Sequence, residues 1–185
     1  MFEKVSASTA ERAERRPGDG LVAPADVVMD RAFTVPGTPA DVWPWIAQLG
    51  KRRAGWYLPR RIERFLPPSR RAGRTVEPRW QRLAVGDVIP DYGGRHASFT
   101  VAEIDPPHTL VYSSRRRAML LTWSIVLRPA EGPGTGTRVL LRLRLAPVKR
   151  RRLAGTAGEL LDLLTIAGLA TGLRERLVAA AASRP

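Results

Sequence analysis

The chain has 185 residues, no cysteine and a formal net charge of +14, from 31 basic and 17 acidic residues. That length suits one domain of ordinary size, whose single core can bury roughly 70% of the unfolded surface. The missing thiols exclude disulfides, cysteine nucleophiles and Cys-ligated zinc, and fit a reducing compartment.

Residues 1–25 lack a sustained apolar pattern and carry Pro17, Gly18, Gly20 and Pro24. They read as a flexible tail with a short helix around residues 8–15. Glu3 falls where a signal peptide wants positive charge, and no apolar run follows. The late apolar stretch at 160–173 is interrupted by Asp162 and is short of the roughly 20 residues a bilayer needs. A cytoplasmic protein is therefore expected, with a single domain over residues 26–185.

Residues 27–35, VVMDRAFTV, are rich in β-branched side chains and read as a first strand. In TPADVWPWIAQLG, Thr38 and Asp41 stand at capping-box spacing and Pro39 suits the first helical position. Val42, Trp45, Ile46 and Leu49 then share one helical face, and Gly50 closes the helix. KRRAGWYLPRR follows at 51–61, five positive charges around a Gly-Trp-Tyr centre. A second short helix is predicted over 59–66, with Ile62, Phe65 and Leu66 on one side, and Pro67 and Pro68 stop it. Residues 67–82 are an arginine-rich connection anchored by Trp80.

Five strands are predicted next, at 85–92, 98–104, 109–114, 119–127 and 137–146, separated by turn signals that make a meander. In the last of them Val139, Leu141, Leu143 and Leu145 share one face. Arg138, Arg142 and Arg144 take the other, so one sheet face should be dry and one wet. The connection before it, EGPGTGT, is glycine-rich but leads into a strand, which makes it a hairpin loop and not a phosphate cradle. A long amphipathic helix should cover 156–182, with Leu160, Leu163, Leu164, Leu173 and Leu177 at helical spacing. Gly168 and Gly172 weaken it unless they permit close backbone approach. The class is α+β: an antiparallel sheet with a long helix across its dry face.

This order, with VPGTPADVWPWIAQLG after the first strand, resembles the START-like helix-grip superfamily, which includes polyketide cyclase and dehydrase-like proteins. GKRRAGWYLPRRIE and the later RWQRLAVGDVIP resemble a narrower bacterial subgroup of it. The resemblance spans about residues 26–180. It implies a curved sheet wrapped around the C-terminal helix, two short helices after the first strand, and a cavity between sheet and helix. Members bind lipids, sterols, polyketides, plant hormones or other apolar molecules. Some catalyse cyclisation or dehydration, and others carry or sense. No residue set here matches a particular catalytic motif.

Seven residues are candidate ligand contacts in such a cavity. Trp45 sits on the first helix, and Tyr112 and Trp123 lie on adjacent strands. Trp56 and Tyr57 follow Gly55 in the link between the short helices, where they can fold inward as an aromatic gate. Tyr92 stands at a strand break, and Asp162 is a carboxylate among leucines on the covering helix. Large aromatics supply contact area, and a Tyr hydroxyl or Trp N–H orients polar ends. Simple core packing is the alternative for each aromatic, and for Asp162 the alternatives are the wet side of the helix or an arginine partner. Glu63, Asp91, Glu103 and His96 are further acid–base candidates. The two histidines, His96 and His108, stand in no ligand spacing, so no metal and no cofactor is expected.

The leading functional reading is binding of an apolar or amphipathic small molecule, as carrier, sensor or cyclase-like protein. The charge keeps a second class open, a nucleic-acid-binding or anionic-membrane-surface protein. The basic runs 115–117 and 149–152 at strand ends read as solvated loops that also suit lipid headgroups, but arginine bias with abundant Ala, Gly and Pro is also what GC-rich codon usage produces. No known nucleic-acid module matches.

Overall fold

The computed structural model describes residues 5–132, 134, 136–148 and 151–183, with 151–157 described by their helical backbone alone. Pro133 of the expected hairpin loop lies outside the described residues, as do Lys149 and Arg150 of the basic run. The elements are α1 (Thr9–Ala13), β1 (Val27–Pro36), α2 (Pro39–Ala47), α3 (Arg60–Glu63), β2 (Val88–Pro90), β3 (Ser98–Asp105), β4 (Thr109–Arg116), β5 (Met119–Pro129), β6 (Gly136–Ala146) and α4 (Arg151–Ala182).

The strands form one six-stranded antiparallel sheet in the order β1-β6-β5-β4-β3-β2. The first strand therefore lies beside the last, with Val27 opposite Leu145 and Phe33 opposite Val139. Period-2 alternation puts Phe33, Ile125, Leu127, Val139 and Leu141 on the inner face, all in the main core. A register shift in β3 between Val101 and Glu103 marks a bulge, a feature that bends a strand.

Local signals in the sequence explain the helices after β1. Thr38 Oγ1 accepts from the Asp41 N–H at 3.3 Å, and Asp41 Oδ2 accepts from the Thr38 N–H at 2.9 Å. Val42, Trp45 and Ile46 are buried against the sheet side. The second helix is shorter than predicted. Helical hydrogen bonding runs over Arg60–Glu63 and continues to Leu66 only as turns. Phe65 is 76% exposed, so it does not join Ile62 on a buried face.

Three further expectations are corrected. First, residues 85–92 do not form one strand. Gly86 takes a positive φ and Asp87 accepts from the Ala84 N–H, so 84–87 is a turn and pairing starts at Val88.

Second, residues 5–22 are packed and not a loose tail. Val5, Ala7, Arg16 and Val22 are buried. The segment covers the sheet face expected to be wet, and the arginines of that face hold it. Arg142 donates to Asp19 at 2.9 Å, Asp30 at 2.8 Å and the carbonyls of Arg12 and Glu14. Arg138 donates to Glu11, and Arg144 to the Val22 carbonyl. A buried guanidinium needs its donors filled, and the acidic residues of this segment do that.

Third, Leu160, Leu163 and Leu164 are exposed, and α4 instead buries Ile166, Leu169, Ala170, Leu173 and Leu177. By steps of four toward the N-terminus, the Ala170–Ile166 row continues to Asp162 and Gly158, and the Leu173–Leu169 row continues to Thr165 and Leu161. The lower half of α4 therefore seals the core. Its upper half presents a carboxylate and a glycine to the sheet.

Candidate ligand cavity

A cavity of about 640 Å³ opens between the inner sheet face and the upper half of α4. Its floor is Met29 of β1, Leu121 and Trp123 of β5, and Leu143 and Leu145 of β6. Gly158, Leu161, Asp162, Thr165 and Ile166 of α4 form the roof. Phe99 and Trp56 close one side, and Asp91, Tyr92 and Arg116 stand at the rim. Above Ile166 the roof of the cavity is built by Gly158, which lies beside the Met29 side chain, and by Asp162, which is turned to Arg31 of β1.

Trp56 reaches the cavity along a strap that crosses α4. A Cβ on Gly172 would stand 2.7 Å from backbone atoms of Tyr57 and Leu58, and one on Gly168 would meet the Leu58 side chain at 2.9 Å. Gly172 thus provides close backbone approach, one of the roles anticipated for the two glycines, while Gly168 makes room for the Leu58 side chain. The strap is locked by Tyr57. Its hydroxyl donates to the Trp45 carbonyl at 2.9 Å and accepts from Gln48 Nε2 at 3.0 Å, and Arg176 lies over its ring at 4.5 Å. Burial raises the Tyr57 hydroxyl far above its ordinary pKa, so it stays a neutral donor.

Arg176 carries the second half of this lock. It donates to Glu63 Oε1 at 2.7 Å, to the Gly73 carbonyl at 2.7 Å and to the Gly172 carbonyl at 2.9 Å. Arg74 pairs with the other oxygen of Glu63. Burial alone would push the Glu63 carboxyl up, but hydrogen bonds and charge from Arg176 and Arg74 outweigh it and hold it low.

The aromatic lining is continuous. Trp56 stacks on Trp123 with centroids 5.8 Å apart, and Trp123 stacks on Tyr112 at 5.9 Å. Phe99 leans on both Tyr112 and Trp123. The Trp56 indole N–H points to the Thr165 carbonyl at 3.4 Å, a long contact.

Two ion pairs supply the polar features. Asp162 Oδ2 is 2.9 Å from Arg31 Nε, and Arg31 also donates to the Glu159 carbonyl at 3.0 Å. Burial pushes the Asp162 carboxyl above its ordinary range, Arg31 opposes the shift, and Glu159 adds to it. At the rim Asp91 pairs with Arg116. Burial and the neighbouring Asp91 raise the Tyr92 hydroxyl.

Four of the seven expected contacts, Trp56, Tyr92, Trp123 and Asp162, line the cavity. Trp45 and Tyr57 do not. They meet edge to face at 5.9 Å within the core and position the strap. Tyr112 stands beside Trp123 on the neighbouring strand but outside the lining, and its buried hydroxyl has no hydrogen-bond partner among the described residues. Of the acid–base candidates, Asp91 is at the rim and Glu63 is in the Arg176 lock, while Glu103 and His96 do not line the cavity. Sequence reasoning missed Met29, Phe99, Leu143 and Leu145 as lining. Leu143 and Leu145 were placed on the dry face, but nothing local told cavity floor from packed core.

No protein-family model matches the chain, and no curated protein does. Solved structures do. Protein SA2116 from Staphylococcus aureus superposes with a TM-score of 0.52 at 9% identity, over 85% of this chain and 98% of the other. The Q3J4M4_RHOS4 protein from Rhodobacter sphaeroides gives 0.50 at 18% identity, over 88% and 97%. DynU16, from the dynemicin biosynthetic locus, gives 0.50 at 13% identity, over 85% of this chain and 49% of its own. Identities this low speak for architecture. The antiparallel sheet gripping one long C-terminal helix is the helix-grip fold, and this chain has it.

Proposed function

We propose that the protein binds an apolar or amphipathic small molecule between its sheet and α4. One observation carries the reading: a cavity of about 640 Å³ with a largely apolar, aromatic-walled interior beneath Gly158 and Asp162. Its volume falls within the range of small-molecule sites, roughly 300–1,000 Å³. The apolar body of a ligand packs on Trp56, Phe99 and Trp123. A polar end meets the Arg31–Asp162 pair inside or the Asp91–Arg116 pair at the rim. Each carboxylate already faces an arginine, which favours holding and orienting a ligand over removing a proton from it. Carrier and sensor roles follow more directly than cyclase-like chemistry.

The test is a titration of fatty acids and planar polycyclic aromatics, read by tryptophan emission and by melting temperature. Trp56 and Trp123 report occupancy directly because they line the cavity. Leu143→Trp fills the cavity from the floor. It should abolish binding while Arg52→Gln, on the outer surface, leaves binding intact. Binding that survives Leu143→Trp in a folded protein refutes the assignment to this cavity.

A further inference from the structure

The charge of the chain is not spread evenly. Residues 51–82 hold eleven Lys or Arg and two Glu, a net +9 of the total +14. One of those two acids, Glu63, is buried, with Arg74 and Arg176 on its two oxygens. Nine arginines of the segment are exposed.

The segment is also rigidly presented. Arg176 ties it to α4 at Leu58, Glu63, Ala72 and Gly73. Gln48 holds it to α2 through the Thr75 carbonyl and the Glu77 N–H. Arg60, Arg64, Arg71 and Arg74 share a concavity of about 460 Å³. Beside it projects an apolar knuckle, Phe65-Leu66-Pro67-Pro68, with Phe65 76% exposed and Arg64 stacked 4.5 Å from its ring. Arg71 braces the knuckle by donating to the carbonyls of Leu66 and Arg64.

From this charge, concavity and knuckle we infer that residues 51–82 form a docking surface for an anionic phospholipid bilayer. The guanidiniums take headgroup phosphates, for which their planar donor fork is suited. Phe65 enters the interface between headgroups and acyl chains, where an apolar ring flanked by arginines is at home. The aromatics argue against nucleic acid. A single-strand binder displays stacking platforms. Here Tyr57 is fully buried, Trp56 faces the cavity, and Trp80 lies between Arg53 and Arg79 at 4.8 and 5.0 Å. This surface does not depend on what fills the cavity.

The experiment is sedimentation of the full chain with phosphatidylcholine vesicles, with and without phosphatidylglycerol, at about 0.15 M salt, where long-range attraction is screened. The wild type should bind only the anionic vesicles. A basic residue near such a surface contributes roughly fivefold to partitioning, so Arg60→Gln/Arg64→Gln/Arg71→Gln should lose on the order of a hundredfold. The charge-matched control Arg95→Gln/Arg115→Gln/Arg117→Gln should stay within about threefold of wild type. Arg64→Gln/Arg70→Gln, which keeps the Arg71 backbone hydrogen bonds, should weaken binding more than tenfold if the triple variant unfolds. Phe65→Ala should weaken vesicle binding and leave any duplex-DNA anisotropy unchanged. Equal vesicle binding with and without phosphatidylglycerol overturns the inference. So do equal losses in the two triple variants, and so does salt-resistant DNA binding without vesicle binding.

Discussion

Gly172→Ala tests the strap that places Trp56. In an open helix the change stabilises by about 1 kcal/mol, because alanine loses less backbone freedom on folding. In α4 the new methyl group would stand 2.7 Å from Leu58 N, Leu58 C and Tyr57 C. Those are backbone atoms of a strap fixed by the Tyr57 and Arg176 hydrogen bonds, so the clash cannot be relieved by a rotamer change. Overpacking of this kind costs about 1–3 kcal/mol, and three main-chain contacts place it in the upper half. The net loss is about 1–2 kcal/mol, or roughly 2–8 °C in melting temperature for a chain of this length. Gly168→Ala is the internal control. Its new methyl meets only the end of the Leu58 side chain, at 2.9 Å, and that group can turn away. It should be neutral or stabilising by up to about 1 kcal/mol. Urea unfolding with a constant slope resolves the two. If Gly172→Ala is as stable as Gly168→Ala, the strap is not in contact with the helix and the account of how Trp56 is held fails.

Glu63→Gln removes the charge facing Arg176, whose side chain is fully buried. An uncompensated buried guanidinium costs about 3 kcal/mol, and adding Arg176→Met should recover part of it; a double variant no better than the single one contradicts the pairing. Acid should release the N-terminal segment. The hydrogen bond from Arg138 lowers the Glu11 carboxyl from 4.5 to about 2. A depressed carboxyl stabilises the fold above its unfolded pKa, and that contribution is lost as pH falls from 4.5 toward 2. Hydrogen exchange of residues 5–22 should accelerate over that window before the β5–β6 ladder does, and simultaneous loss of both would count against a separable segment.

What could be read in the sequence was mostly local. The Thr38–Asp41 capping box, the Pro39 start of α2 and the alternation along β6 involve neighbours within a few residues, so spacing alone reports them. Trp56, Trp123 and Asp162 were legible because large aromatics or a carboxylate stood where apolar packing was due. The misreadings are long-range. Alternation showed which face Arg142 takes but not that Asp19, more than a hundred residues earlier, would cover it. The leucines of α4 misled because two helical faces carry apolar residues. Only the position of the sheet decides that 166, 169 and 173 point inward and 160, 163 and 164 do not. The Glu63–Arg176 lock likewise joins residues 113 apart.

The pairing of β1 with β6 sets the order of assembly. Val27 finds Leu145, and the edge strand nearest the N-terminus waits for the last strand to be made. The outer arginines Arg138, Arg142 and Arg144 belong to that same last strand, so residues 5–22 also wait. Such distant closures make folding slow, because loop entropy is spent before the contacts that repay it exist. A nascent chain stopped before β6 would display both an unpaired β5 edge and an unroofed aromatic floor. Both are surfaces that invite aggregation. The cavity is therefore among the last parts of the molecule to come into being, completed only when α4 closes over a finished sheet.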